Sequence, residues 1–215
     1  MAESLRDALA AHLKAGRVVP RVDLTEARLE GAELAGLRCE PGMIGRGARL
    51  DQADLSEAQM EGADLSQAHL DGVTLDGAFL AHARLDDATG YQILAERLVL
   101  ALGSAERARF AEAKLDGADL EGVAFYDADL TRASLRGVRG RWATFGRAAL
   151  LEADLTGGNF EKASFRDADL TGASFERADL TGADLRGAQL EDVTWTGAVL
   201  LDTKFDEGAH PRRRR

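Results

Sequence analysis

The sequence has few of the features on which cross-linked, compact or membrane-spanning proteins depend. Cysteine occurs once, as Cys39, so the chain cannot form an internal disulfide, and a lone thiol is typical of a reducing compartment. Aromatic residues make up only 6% of the chain, so its core must be built mainly from aliphatic side chains. Proline occurs three times and glycine 23 times, which indicates that turns depend on glycine.

Long apolar runs are also missing. No stretch approaches the roughly 18 consecutive apolar residues that a transmembrane helix needs, and no N-terminal stretch resembles a signal peptide. We therefore expect a cytoplasmic protein that does not interact with membranes.

The charge balance is acidic. The net charge is −10, and because the four arginines at 212–215 contribute +4, the rest of the chain carries −14. An acidic body repels nucleic acid and attracts basic partners, so we expect no direct DNA binding.

An apolar residue recurs at every fifth position over most of the chain. In each unit the residue two positions earlier is small, and glycine often follows two positions later. A period of five matches neither an α-helix nor a long strand. The apolar unit centres include Leu50, Leu55, Met60, Leu65, Leu70, Leu75, Leu80 and Leu85, and the same phase continues over 110–135 and 145–205, whereas an earlier block at Leu24, Leu29, Leu34 and Cys39 is offset by one.

The spacing predicts a coil with two inward side chains in each unit. Alternate residues of an extended segment share a face, so the small residue and the centre point inward while the residue between them points outward. Phe125, Phe145, Phe165 and Phe205 are separated by multiples of twenty, which favours four units per coil and stacked rings. The units then form about eight coils, or a rod of about 38 Å.

Individual units resemble a known family. Ala53-Asp54-Leu55-Ser56-Glu57 and Ala153-Asp154-Leu155-Thr156-Gly157 match the A(D/N)LXX pattern of pentapeptide-repeat proteins. The resemblance implies an all-β solenoid, a right-handed quadrilateral β-helix.

Three segments depart from the repeat. Ser4 and Asp7 predict a capped helix that ends near Gly16 and covers the open end of the solenoid. Thr89 and Gln92 fit a capping box for a second, inserted helix that ends at Gly103. The predicted organisation is an N-terminal helical cap (1–20), a first stack (21–88) with a loop at 40–47, an inserted helix (89–107), a second stack (108–205) and a basic tail (206–215).

Both interruptions have two interpretations. The 40–47 segment is either a bulged corner or a contact loop that presents Met43, Ile44 and Arg46. The apolar stripe of the inserted helix either packs on its own solenoid or forms a homodimer contact. The stripe consists of Tyr91, Leu94, Leu98 and Leu102.

No convergent set of catalytic groups is visible. The four histidines are scattered, Cys39 occupies a core position, and phosphate-cradling loops and metal-ligand spacings are missing. We therefore expect no enzymatic activity, no small-molecule substrate, no cofactor and no metal.

Charge is distributed unevenly along the sequence. An acidic early stack is either a soluble surface or a partner-binding face formed by Asp51, Asp54, Glu61, Asp64, Asp71 and Asp76. Residues 130–151 contain no acid, and their arginines either form a basic patch or are paired with acids of neighbouring coils. These arginines are Arg132, Arg136, Arg139, Arg141 and Arg147.

The chain also resembles the quinolone-resistance type of pentapeptide-repeat protein, which protects topoisomerases by mimicking DNA. This resemblance implies DNA gyrase or topoisomerase IV as the partner, protection from antibiotics as the role, and a dimer. The alternative is a scaffold module that binds some other protein.

Overall fold

The computed structural model describes residues 4–208 and begins with one helix, α1, over Leu5–Lys14. Ser4 caps it, because its hydroxyl oxygen accepts a hydrogen bond from the Asp7 backbone N–H at 3.2 Å. Gly16 then turns the chain with φ +62°. The predicted N-terminal helix is confirmed. In the part of the chain described, no helix is long and apolar enough to cross a membrane.

Helix α1 closes the first end of the solenoid. Leu9 is 2% exposed and belongs to the same continuous core as Leu24 and Leu29, and Leu13 packs against that core. The apolar stripe of the helix therefore covers side chains that an open coil would leave in water.

The rest of the described chain is a single solenoid that runs from Val19 to Lys204. Its coils are joined by isolated parallel bridges, one residue per side, and no longer strands occur within residues 4–208. Bridged partners such as Thr74 and Leu94 are twenty residues apart over most of the length, so four five-residue units make one coil, as predicted. The bridged region corresponds to about nine coils rather than the predicted eight, because residues 90–109 form a coil as well, and the rod is about 43 Å long at the usual strand spacing.

Each unit has the same internal geometry. In the unit 53–57, Ala53 and Leu55 are buried in the core, and Asp54 lies between them on the outside. Ser56 and Glu57 form the corner, and Glu57 has φ +57°. We call these five positions inner-small, outward, centre, first corner and second corner.

Four sides follow one another around each coil. We number them by their outward residues: side 1 carries Asp64 and the residues twenty apart from it, and sides 2, 3 and 4 carry His69, Thr74 and Phe79 in the same way. From Asp64 to Asp184, every outward residue therefore has neighbours twenty positions earlier and later on the same side.

Aromatic rings reinforce the later coils. The Phe145 ring is stacked between Phe125 and Phe165, with centroid distances of 5.3 Å and 4.8 Å. This confirms the predicted stacking of residues twenty apart. The stack is interrupted before Phe205, whose ring meets Trp195 edge-on.

The predicted inserted helix at 89–107 is wrong. Residues 90–109 form a further coil, with Thr89 bridged to Arg109 and Val99 bridged to Asp119. Twenty extra residues equal one coil, which is why the repeat keeps its phase across this segment.

The helical interpretation failed because this coil exchanges the sizes of its inward residues. The inner-small positions hold Ile93 and Leu98, and the centres hold Gly90 and Ala95, so the five-residue pattern of large centres is lost. A Cβ at Gly90 would lie 2.4 Å from Ile93 Cδ1, so the isoleucine occupies the space of the missing centre side chain.

The 40–47 segment is a corner with one extra residue. Val19 is bridged to Cys39, twenty positions later, whereas Asp23 is bridged to Ile44, twenty-one positions later. Met43 is 3% exposed and lies in the core, so the segment does not protrude as a loop.

Gly140 provides a test of core packing. It is a centre without a side chain, and a Cβ there would lie 2.8 Å from Phe160 Cδ1 on the next coil. We expect Gly140→Leu to destabilise the fold by about 1–3 kcal/mol, because the Phe160 ring already fills that space. Denaturant unfolding measures the loss. Adding Phe160→Leu should restore part of it, and two additive effects would contradict this account.

Candidate functional site

Function in this fold must reside in outward and corner residues, because the other two positions of each unit are buried. In the unit 63–67, for example, Ala63 and Leu65 are almost completely buried, and Asp64 and Gln67 reach the surface. Because one coil is twenty residues long, surface residues twenty positions apart in the sequence are neighbours on the rod.

The predicted acidic face is not one face. Asp64 lies on side 1 and Asp54 on side 3, on opposite sides of the rod. Asp51 and Asp71 share the corner between sides 2 and 3, and the remaining two acids lie at other corners: Asp76 between sides 3 and 4, and Glu61 between sides 4 and 1.

Most of these carboxylates serve the rod itself. Asp51 accepts a hydrogen bond from the backbone N–H of Asp71 at 3.3 Å, and Asp71 accepts one from Tyr91 at 2.8 Å. Asp54 accepts from the Ser56 backbone and hydroxyl. Among the six predicted acids, only Glu61 has a side chain that makes no hydrogen bond or ion pair within residues 4–208.

The predicted basic patch is also dispersed. The five arginines lie on different sides and corners, and each is paired with an acid of an adjacent coil. Exposed pairs of this kind contribute little to stability, but together they neutralise the arginines. The pairs are Arg132–Glu152, Arg136–Asp154, Arg139–Asp119, Arg141–Glu161 and Arg147–Asp127.

Aromatic side chains lie beside two of these pairs. Arg141 lies 4.4 Å from the centroid of the Trp142 ring, and Arg147 lies 4.4 Å from that of Tyr126. Such cation–π contacts hold both guanidinium groups against the rod. The arginines therefore favour internal pairing over a free basic surface.

The residues of the predicted helix stripe point in different directions. Leu98 is buried at 3% exposure, Leu94 lies outward on side 3, and Tyr91 and Leu102 lie at two different corners. They form no common stripe, so the basis for a helix-mediated homodimer is gone. In the 40–47 corner, Met43 is buried, Ile44 is half-buried, and Arg46 is ion-paired with Asp64 at 2.6 Å.

A small apolar area was missed at the sequence level. Phe79 and Val99 occupy successive outward positions of side 4 and are bridged to each other. Ala101 and Leu102 lie at the following corner, and Leu102 is 63% exposed. The available signal was the twenty-residue separation of Phe79 and Val99, both at positions that are usually polar.

Groups suited to catalysis or metal binding do not converge in the part of the chain described. No cluster of three or more histidine, cysteine or acidic residues there could hold a metal ion. Burial raises the pKa of the Cys39 thiol to about 11, so it is protonated at neutral pH.

The repeat assigns the chain to a family. Eight copies of the pentapeptide-repeat family pattern match residues 46–72, 53–89, 106–139 and 148–187, which together cover just over half of the sequence. The chain belongs to the pentapeptide-repeat family, and membership implies the right-handed hand of the β-helix. No curated protein sequence matches the chain.

Several solved structures are similar to this chain. HetL, a pentapeptide repeat protein involved in heterocyst differentiation regulation from the cyanobacterium Nostoc, is 27% identical over 94% of this chain and 95% of its own, with a TM-score of 0.44. QnrB1, a plasmid-mediated fluoroquinolone resistance protein, is 20% identical over 88% and 92%, with a TM-score of 0.41. Because both scores are low, the assignment rests on the repeat itself.

Asp184 carries the most heavily engaged carboxylate of side 1. It accepts hydrogen bonds from Arg186 Nη2 at 2.6 Å and from Arg166 Nη1 at 3.2 Å, and its side chain is 16% exposed. The hydrogen bonds from Arg186, assisted by Arg166, hold the pKa of the Asp184 carboxyl well below its usual range.

This lowered pKa predicts a pH-dependent effect. The contribution of Asp184 to stability is present above the unfolded pKa of about 3.9 and is lost as the pH falls through the folded value. We expect Asp184→Asn to cost about 1 kcal/mol at pH 7 and much less near pH 2, as measured by urea unfolding. Glu191→Gln, at an exposed corner, is the control and should have little effect at either pH. An equal cost of Asp184→Asn at both pH values would contradict the argument.

Proposed function

We propose that this chain is a non-enzymatic rod that binds a basic groove of another protein in place of nucleic acid. In its sharper form, the partner is a type II topoisomerase, DNA gyrase or topoisomerase IV, and binding protects that enzyme from inhibitors such as quinolones. A rod of continuous coils that exposes charge on every side supports this function better than it supports a reaction centre.

The observation that supports this proposal most directly is the excess of negative charge on the outer surface. Outside the four C-terminal arginines the chain carries −14, and the arginines of 130–151 are already paired with acids. Carboxylates lie on or beside all four sides, as they would on an object that replaces a duplex. Such a surface attracts a basic groove from any direction of approach.

The net charge of the rod limits how closely it can imitate DNA. Duplex DNA carries about one charge per 1.7 Å, so a length of about 43 Å would hold about 25 charges. The net −14 of this chain is just over half of that number. The rod would therefore bind a DNA-binding groove of its partner protein with a weaker dependence on salt than DNA itself shows.

A scaffold that binds a different protein is the second candidate. It is favoured by the carboxylates that are engaged within the rod: Asp51 and Asp71 accept backbone N–H groups, and Asp64 is shared between Arg46 and Ser66. These acids have a structural use that needs no partner.

The topoisomerase proposal predicts protection in a supercoiling assay. At low salt, the purified chain should restore supercoiling by DNA gyrase in the presence of a quinolone, and the effect should weaken as salt is raised. No protection at low salt with gyrases from several bacteria would sink the proposal.

Two matched variants separate charge from shape. Asp51→Asn, Asp54→Asn and Asp71→Asn together remove three charges, and each new amide oxygen can still accept the hydrogen bond that the carboxylate accepts. This variant should protect less well. Replacing Arg132, Arg136 and Arg147 with glutamine makes the rod more acidic and should improve protection, so equal activity of the two variants would argue against electrostatic binding.

A further inference from the structure

Side 4 carries a group of neighbouring apolar residues in the middle part of the rod. We define the side-4 patch as Phe79, Val99, Ala101 and Leu102. Phe79 and Val99 are adjacent through a parallel bridge, and the Leu80 N–H donates to the Val99 carbonyl at 2.7 Å. The patch therefore lies on backbone that is hydrogen-bonded from coil to coil.

Leu102 is exposed by the shape of its corner. It has φ +57° at a second-corner position, and its side chain extends over Gly122 on the next coil. A Cβ at Gly122 would lie 2.8 Å from Leu102 Cδ2, so the glycine leaves room for the leucine to lie along the rod. Left-handed backbone is costly for a leucine, and nothing in the core requires a leucine at this position.

The patch coincides with a departure from the family pattern. The family match covers 53–89 and 106–139 and passes over residues 90–105, which include Val99, Ala101 and Leu102. In this coil the large and small inward residues are exchanged, and apolar side chains occupy outward positions. The exchange still fills the core of the rod, but no segment within residues 4–208 covers the outward apolar side chains.

Carboxylates without partners surround the patch. Glu61 lies two coils before Ala101 in the same corner column, with Ala81 between them, and Glu121 lies one coil after Ala101. Glu96 lies at the corner that precedes Val99, with Arg97 beside it. The side chains of these three glutamates form no hydrogen bond or ion pair within the described residues, unlike the paired acids elsewhere on the rod.

We propose that the side-4 patch binds a basic amphipathic segment of a partner protein. The apolar side chains in the middle of the patch would be buried by the ligand. The free carboxylates around them would select lysine or arginine beside the apolar side chains of the ligand. Charge complementarity distinguishes this occupant from a second copy of the patch, because two such copies would bring like-charged rims together. The inference does not depend on a topoisomerase partner.

A pair of designed peptides tests the inference. The probe is a fluorescein-labelled 18-residue peptide of lysine and leucine, with leucines spaced i, i+3, i+4, i+7 so that a helix has one apolar face. The comparison peptide has the same composition with its leucines distributed around the helix. We expect the first peptide to bind the intact chain on the order of tenfold more tightly, as measured by fluorescence anisotropy.

The chain offers a closely matched control variant. Val99→Lys with Leu102→Lys should weaken binding of the first peptide by about tenfold or more, because it removes apolar contact and adds like charge. Val199→Lys with Leu201→Lys makes the same changes at residues exposed by 48% and 62% on the same side near the last coil. That variant should stay within about twofold of the unmodified chain.

A second variant tests the rim independently of the apolar centre. Glu96→Gln with Glu121→Gln changes no core residue, and should weaken binding several-fold and reduce its dependence on salt. Thermal unfolding should show that both variants remain folded.

Four outcomes would overturn the inference. Two are equal binding of the two peptides and equal losses in the Val99/Leu102 and Val199/Leu201 variants. A third is tighter peptide binding after deletion of residues 209–215, which would make the chain's own basic end the occupant. The fourth is a dimer in sedimentation that the Val99/Leu102 variant dissociates, which would make a second copy the occupant. Each of these results leaves the supercoiling assay unaffected, so the two proposals fail separately.

Discussion

Hydrogen bonding between residues one coil apart is the constraint on which the rest of this structure depends. Leu55, for example, donates its N–H to the carbonyl of Thr74 at 2.8 Å, and Thr74 donates to Ala53 at 2.9 Å. Each unit inside the rod is hydrogen-bonded in this way to the units one coil before and one coil after it. Each coil must therefore have the same length as its neighbours. An insertion is tolerated either as one residue in a corner, as at 40–47, or as a whole coil.

The same constraint decides which residues the fold leaves free. Two inward positions must together fill a fixed cross-section, but either one can hold the larger side chain, as Ile93 beside Gly90 shows. The second corner must adopt left-handed backbone, and the non-glycine residues that do so in the described chain include no β-branched residue. Outward positions carry neither restriction, so their chemistry reflects use of the surface more directly than any buried position does.

The sequence alone was sufficient for the features that repeat. The spacing of Phe125, Phe145 and Phe165 was enough to predict the coil length and the ring stacking, and Ser4 with Asp7 was enough to predict α1. The sequence was not sufficient to predict the coil in which the large and small inward residues are exchanged. Leu98 continues the helical spacing from Leu94, and no single-sequence pattern distinguishes that spacing from an inward and an outward position of neighbouring units.

Surfaces were harder to predict, because charge that is close in sequence is distant on a coil. Asp51 and Asp54 are three residues apart, yet one lies at a corner and the other lies outward on the next side. Conversely, Arg139 and Asp119 are twenty residues apart and form an ion pair at 2.6 Å. The charge of a continuous sequence segment is therefore not the charge of any one face of the rod. Once the chain is arranged in columns of twenty, many arginines pair with acids of the adjacent coil, and several other acids accept backbone hydrogen bonds. In the column containing Phe79 and Val99, by contrast, apolar side chains occupy successive outward positions near glutamates whose side chains make no hydrogen bond or ion pair within residues 4–208, so this part of the surface is arranged for contact with something outside the rod.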